Sequence, residues 1–196
     1  MNNKRSSGYI IAGVLILLGI FLMVTYNGLV KKEELVKLQW NEVQNAYQRR
    51  IDFIPNVVNI VKGQANFEQT TLQQLAEARA KASAVTVSSN EVNAENFKQQ
   101  SAAQDGLAAA TNRLLVTVEK YPDLQGAAAF KGLQTQLEGT ERRIKIARKD
   151  FNDAIQVYNS SVRSFPTKIA AGIFGFKSKE GFQSDAGADR AIEIKF

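Results

Sequence analysis

The sequence predicts an all-α protein, in which a single N-terminal transmembrane helix is followed by an antiparallel long-helix bundle of three to four helices. Three observations carry this expectation. The stretch from Ser6 to Val30 contains no charged residue. Beyond it, apolar side chains recur at alternating steps of three and four, the spacing of one helix face. Only three prolines interrupt a chain of 196 residues rich in Ala, Leu, Val, Gln, Glu, Lys and Arg, which favour helices.

The elements follow in order. Residues 1–7 form a short basic flank carrying Lys4 and Arg5, and residues 8–27 form the transmembrane helix. A hydrocarbon core of ~30 Å takes roughly 20 helical residues to cross, and the run supplies them. Tyr9 and Tyr26 mark its two ends, where interfacial tyrosines belong. A cleaved signal peptide would have a shorter apolar region and a small-x-small cleavage pattern, which "MVTYNG" does not offer. A lipoprotein would need a cysteine, and there is none. Orientation is left open. Lys31, Lys32, Lys37, Arg49 and Arg50 after the span outnumber Lys4 and Arg5, a slight lean to a cytoplasmic bundle, but long folded domains are translocated despite their charge.

Residues 28–177 are expected to form the bundle. Val36, Trp40, Val43, Tyr47, Arg50, Ile54, Val57 and Val61 share one face of a first helix. Leu72, Leu75, Arg79 and Ala82 extend that face to a Ser/Thr/Val-rich loop over residues 84–90. A second helix starts near Asn90 or Asn93, both good caps. It carries Phe97, Gln104, Leu107, Thr111, Leu114 and Val118, and it ends before Pro122, which disfavours helix at Tyr121. The third stretch has the clearest pattern. Phe130, Leu133, Leu137, Thr140, Ile144, Ala147, Phe151, Ala154, Tyr158, Ser161 and Phe165 step by three and four without a slip, a coiled-coil-like seam. After Pro166, Thr167 to Phe174 form one short apolar helix ending at Gly175. A split of the first helix at Pro55, or docking of the 167–174 helix, would make the bundle four-helical. The tail, residues 178–196, reads as loosely ordered, although "AIEIKF" alternates like a strand.

Little in the chain looks like chemistry. With no cysteine and no histidine, thiolate nucleophiles, Cys/His zinc sites and histidine acid–base catalysis are excluded. No P-loop, dinucleotide-binding or nucleophile-elbow motif occurs, so no catalytic, metal or cofactor residue is assigned. The carboxylates mostly fall on helix faces turned to water, beside Lys or Arg about one turn away. Net charge is +6 with both signs interspersed, which reads as a solvated surface. The exception is a basic stripe of Arg142, Arg143, Lys145, Arg148 and Lys149.

One cluster stands out, "YQRRIDFIPNVVNIVKG" (Tyr47 to Gly63). Pro55 lacks an N–H and crowds the carbonyl of Ile51, so the helix should kink or change pitch there. Arg50 interrupts the apolar face and should meet a carboxylate or freed carbonyls of another helix. Asp52 and Asn56, one turn apart, are placed to satisfy neighbouring backbone groups. The cluster reads as a bundle elbow with a polar plug.

Three blocks in this order, "YNGLVKKEELV", "RRIDFIPNVVNIVKG" and "YNSSVRSFPTKIAAGIFGFK", resemble the LemA family of bacterial membrane proteins, from about Gly8 to Phe182. The resemblance implies one N-terminal membrane helix carrying a four-helix-type bundle in the cell envelope. It implies no catalytic residues, because the family has no established enzymatic activity. The matching positions are Tyr26, Asn27, Leu29 and Val30 beside the membrane, and Arg50, Asp52, Pro55, Asn56, Val61, Lys62 and Gly63 in the elbow. Near the end they are Tyr158, Asn159, Phe165, Pro166, Phe174 and Phe176. Gln64 departs from the aromatic residue often found there.

The functional expectation is a non-enzymatic scaffold or adaptor anchored in the inner membrane. It would act through homo-oligomers or an unidentified membrane or envelope protein partner, with the lipid bilayer as a constant partner. Alternatives are binding of anionic lipid through the basic stripe, nucleic acid being the less favoured ligand there, and a carboxylate-based hydrolase of envelope polymers.

Overall fold

The computed structural model describes residues 3–63, 68–88, 94–122 and 128–182. Five helices account for most of them: α1 (Asn3–Lys62), α2 (Gln69–Ala84), α3 (Ala94–Val118), α4 (Ala128–Arg163) and α5 (Thr167–Phe174). No strand occurs among the described residues. The expected capping residues Asn90 and Asn93, and "AIEIKF", lie outside them.

α1 is one helix of 60 residues, about 90 Å long at 1.5 Å per residue. Side chains from Tyr9 to Val24 are largely exposed, whereas from Leu29 onward one face is buried. The same helix therefore has two environments: a bare apolar rod, then a core element. The helix runs unbroken through Tyr26–Gly28 and through Pro55.

The break falls elsewhere. The expected continuous face from Val36 to Ala82 is divided, because α1 ends at Lys62 and α2 begins at Gln69. Gly63 directly follows the last helical residue. α2 then runs back along α1. Its Arg79 reaches the Ile51 carbonyl, and the following Val87 reaches Trp40. Leu75 and Ala82 are still buried, because the apolar pattern resumes on a second helix. α3 ascends with Gln100 against Gln44 and Gln104 against Arg50, and α4 descends from Phe130 to Tyr158. The result is an antiparallel four-helix bundle in which α1 packs along α4 and α2 along α3.

The core has two parts. A proximal cluster, nearer the apolar rod, gathers Leu29, Val36, Trp40, Val43, Tyr47, Ile144, Phe151, Ile155, Tyr158 and Val162. A distal cluster gathers Ile54, Val57, Val61, Leu75, Leu107, Leu114, Val118, Phe130, Leu133 and Leu137. α1 and α4 traverse both. Thr111 and Thr117, buried on α3, satisfy their hydroxyls on carbonyls one turn back, Leu107 and Arg113.

One other expectation is corrected. Phe165 is 83% exposed instead of closing the α4 seam. A strict seven-residue repeat drifts around a straight helix, and by the last turns Ile155 and Val162 carry the burial. Of the tail, residues 178–182 are fastened to α4, and the remainder lies outside the described residues. Asn159 donates to the Lys179 carbonyl and accepts from the Lys179 N–H, both at 2.8 Å. Asn152 does the same with Phe182, at 2.9 and 2.8 Å. α5 ends as expected, with Gly175 at φ 79° donating its N–H to the Ala171 carbonyl.

Candidate functional site

Between the two apolar clusters lies a polar waist. α1 supplies Gln44, Tyr47 and Arg50 to it at three-residue steps. Gln44 and Gln100 exchange amide hydrogen bonds of 2.8 and 2.7 Å. One turn along, the Arg50 guanidinium donates to the Gln104 carbonyl at 3.0 Å and to its side-chain oxygen at 3.4 Å. It also pairs with Glu141 of α4. Arg50 is only 2% exposed, so a charge that burial would heavily penalise is balanced by three acceptors from two other helices. Below it, Arg148 donates to the Tyr47 hydroxyl at 3.0 Å and pairs with Asp105 at 2.7 Å.

A second polar contact explains the proline. Pro55 cannot donate to the carbonyl of Ile51, the residue four positions earlier. The Arg79 Nε–H of α2 donates to that same carbonyl at 3.1 Å. The vacancy in the α1 ladder is thus used to pin α2 onto α1.

Nearer the membrane end is an aromatic clasp. Trp40 donates its indole N–H to the Val87 carbonyl at 3.0 Å. Its ring lies 5.1 Å from Phe151, 5.7 Å from Phe97 and 6.3 Å from Phe182. Phe97 and Phe182 are 4.5 Å apart, and Arg148 sits 4.8 Å over the Phe182 ring. Below the clasp a cavity of about 720 Å³ opens beside Val30, Glu33, Lys37, Tyr158, Phe176 and Lys179. Lys179 pairs with Glu33 at 2.9 Å and stands 5.5 Å over the Tyr158 ring.

Of the elbow residues named from the sequence, Arg50 alone enters the waist; Asp52, Pro55, Asn56, Lys62 and Gly63 are exposed. Arg50 does meet a carboxylate and a carbonyl of other helices. Asp52 instead accepts from the Gln48 side chain at 2.7 Å. Among the described residues, no hydrogen bond ties it or Asn56 to a neighbouring backbone group. Tyr26 lies 5.0 Å from Phe174 and 5.8 Å from Phe176, and Asn27 is exposed. Tyr158 is buried and Asn159 holds the tail, whereas Phe165 and Pro166 are exposed. Sequence reasoning missed Gln44, Gln100, Glu141 and Phe182. The seven-residue interval between Asn152 and Asn159, two amides flanking the seam, was the available signal for the clasp.

The chemical repertoire of these groups is limited. Burial raises the Tyr47 phenol above its usual range despite Arg148 nearby. Burial, with Glu33 adding to it, pushes Tyr158 up to about 12. Both phenols therefore stay protonated near neutral pH. No group of three or more metal-ligating side chains occurs among the described residues. The basic stripe is divided, since Arg148 turns inward to Asp105 and Lys149 pairs with Asp153 one turn on. Only Arg142, Arg143 and Lys145 are left to present charge freely. The site holds helices together, and nothing in it resembles a nucleophile with its base.

Comparison with known proteins gives the family. The model of the LemA family matches residues 39–196. Magnetosome protein MamQ 2 of Paramagnetospirillum magneticum is 37% identical over 90 residues, covering 46% of this chain and 33% of that protein. The chain thus spans about a third of that relative. Magnetosome protein MamQ of Magnetospirillum gryphiswaldense is 26% identical over 189 residues, 87% of this chain and 69% of the relative. Protein LemA of Metamycoplasma hominis is 29% identical over 161 residues, covering 79% and 68%. A helical bundle built on an apolar N-terminal helix, matched by that family over most of its length, makes this chain a membrane-associated member of the LemA family.

Proposed function

We propose that this protein is a non-enzymatic scaffold of the bacterial inner membrane, anchored by a single pass of α1 and working by assembly with copies of itself or with an envelope protein. The observation that carries the reading is the continuity of α1, which passes without a break from the apolar rod into both cores. A flexible tether would let a bundle wander. A continuous helix instead fixes its height and tilt over the bilayer, which suits a platform. Leu35 and Leu38 on α1, with Ile146 and Val157 on α4, remain exposed on the bundle and offer apolar footholds to a second copy. In this reading the bundle faces the cytoplasm, the side towards which the small excess of basic residues after the span leans.

The test is light scattering on the full chain in detergent and in nanodiscs, with cross-linking and mass spectrometry in native membranes. A discrete oligomer, or one reproducible partner adduct, is expected. A monomer at every concentration, with no adduct in the membrane, would contradict the scaffold reading.

A further inference from the structure

We propose that α5 is a second membrane contact, a foot that lies in the lipid interface beside the point where α1 leaves the bilayer. The inference rests on α1 spanning the membrane. Ala170 and Ala171 of α5 are buried against the bundle. The other side of the helix carries Ile169 and Ile173, 58% and 65% exposed, and Phe165, just before the helix, is 83% exposed. Ile169 and Ile173 are spaced by four, so they share one stripe along the helix. Three large apolar side chains exposed at one end of the bundle are costly in water, and their covering is the question to answer.

Their position answers it. Phe174, at the end of α5, lies 5.0 Å from Tyr26, the tyrosine at the bundle end of the apolar rod. The C-terminal end of α5 is therefore held beside the point where the apolar rod of α1 ends. Helices that lie in the interface combine an apolar face with basic and aromatic residues at the polar boundary. Lys168, exposed on α5, and Tyr26 supply those. The occupant is the bilayer that α1 crosses. Two contacts, one spanning and one lying flat, would fix the azimuth of the bundle as well as its height.

The chain has no cysteine, so one introduced thiol is the sole labelling position. Full-length protein in phosphatidylcholine–phosphatidylglycerol liposomes is labelled with an environment-sensitive fluorophore at Ile169→Cys or Ile173→Cys. Leu15→Cys serves as the control within α1, and Gln136→Cys as the control on the distal bundle. Quenching is measured with nitroxide lipids labelled near the headgroup or deep in the acyl chain, and with aqueous iodide. Positions 169 and 173 are expected to be quenched best by the shallow nitroxide, with iodide quenching several-fold below that at position 136. Position 15 should respond to the deep nitroxide. Iodide quenching at 169 and 173 equal to that at 136, with position 15 still deep, would overturn the foot and leave the anchor standing. Shielding from both lipid and iodide would mean a protein cover, which also overturns it. An aqueous position 15 would remove the anchor itself. As a second variant, Ile169→Asp with Ile173→Asp should abolish shallow quenching of a label at Phe165→Cys without changing position 15. Unchanged quenching at position 165 would count against the foot.

Discussion

The waist makes an asymmetric prediction about its central ion pair. Arg50 is 2% exposed, whereas the side chain of Glu141 retains 42% of its surface. Replacing Arg50 by Met leaves a carboxylate that water can reach. The Gln104 carbonyl lies inside α3, where its helical partner remains. Arg50→Met also takes the donor from the buried Gln104 side-chain oxygen, and should therefore cost about 1 kcal/mol, since an apolar side chain of similar volume often substitutes well for a buried charge. Glu141→Ala is different, because it strands a guanidinium in the core with only neutral acceptors. Breaking a buried pair from the side that leaves a buried charge costs about 3–5 kcal/mol. Allowing for the partial hydration of Glu141, about 2 kcal/mol is expected here. That corresponds to a fall in melting temperature of roughly 4–8 °C for a chain of this size. The Arg50→Met/Glu141→Ala double variant should be nearer to Arg50→Met than to Glu141→Ala. Urea unfolding of the detergent-solubilised chain, followed by fluorescence of the single tryptophan, Trp40, measures all three. Equal costs for the two single variants, or a Glu141→Ala cost below about 0.5 kcal/mol, would refute the reasoning, because the charge would then be no more buried than a surface pair.

Three further outcomes follow from the same geometry. Arg79→Met should cost about 1–3 kcal/mol by leaving the Ile51 carbonyl without a donor. It should cost clearly less in a Pro55→Ala background, where residue 55 regains the N–H that bonds Ile51; additive effects in a double-mutant cycle would contradict the pin. Gly181→Ala would place a Cβ 2.5 Å from Asn152 Oδ1 and 3.3 Å from Ile155 Cδ1. It should free the 178–182 segment to limited proteolysis while the distal core keeps its stability. Tyr158 holds its proton more tightly folded than unfolded, so its contribution is whole below pH ~10 and is lost as pH rises toward about 12. Urea midpoints across that window should fall more steeply for the wild type than for Tyr158→Phe, and parallel curves would remove Tyr158 as the cause.

What the sequence made legible was whatever periodicity encodes. The apolar rod, the α4 seam and the short α5 helix with its Gly175 stop were all visible, because each is a local pattern. Two kinds of feature were not. The break after Lys62 was hidden because α1 and α2 present their apolar faces in a compatible phase, so Val61 and Leu72 read as one stripe across a chain reversal. Partnerships between distant helices were hidden because periodicity places a residue on a face without saying what faces it. Arg50 was recognisable as an interruption, yet Glu141 looked like any other surface carboxylate. Arg148 looked like part of a basic stripe, and only the bundle turns it toward Tyr47 and Asp105. Asn152 and Asn159 lay beside the seam, where an amide looks like solvated surface until a returning backbone meets it.

The proposed platform role depends on α1 being one straight element from bilayer to waist, and a spin-label distance in the membrane tests that most directly. Leu18→Cys and Gln48→Cys occupy exposed positions on α1 thirty residues apart, one in the apolar rod and one in the bundle. At 1.5 Å per residue the unbroken helix predicts a narrow distribution near ~45 Å in nanodiscs. A broad or markedly shorter distribution would mean a hinge at Tyr26–Gly28. The bundle would then be tethered to the membrane, not mounted on it.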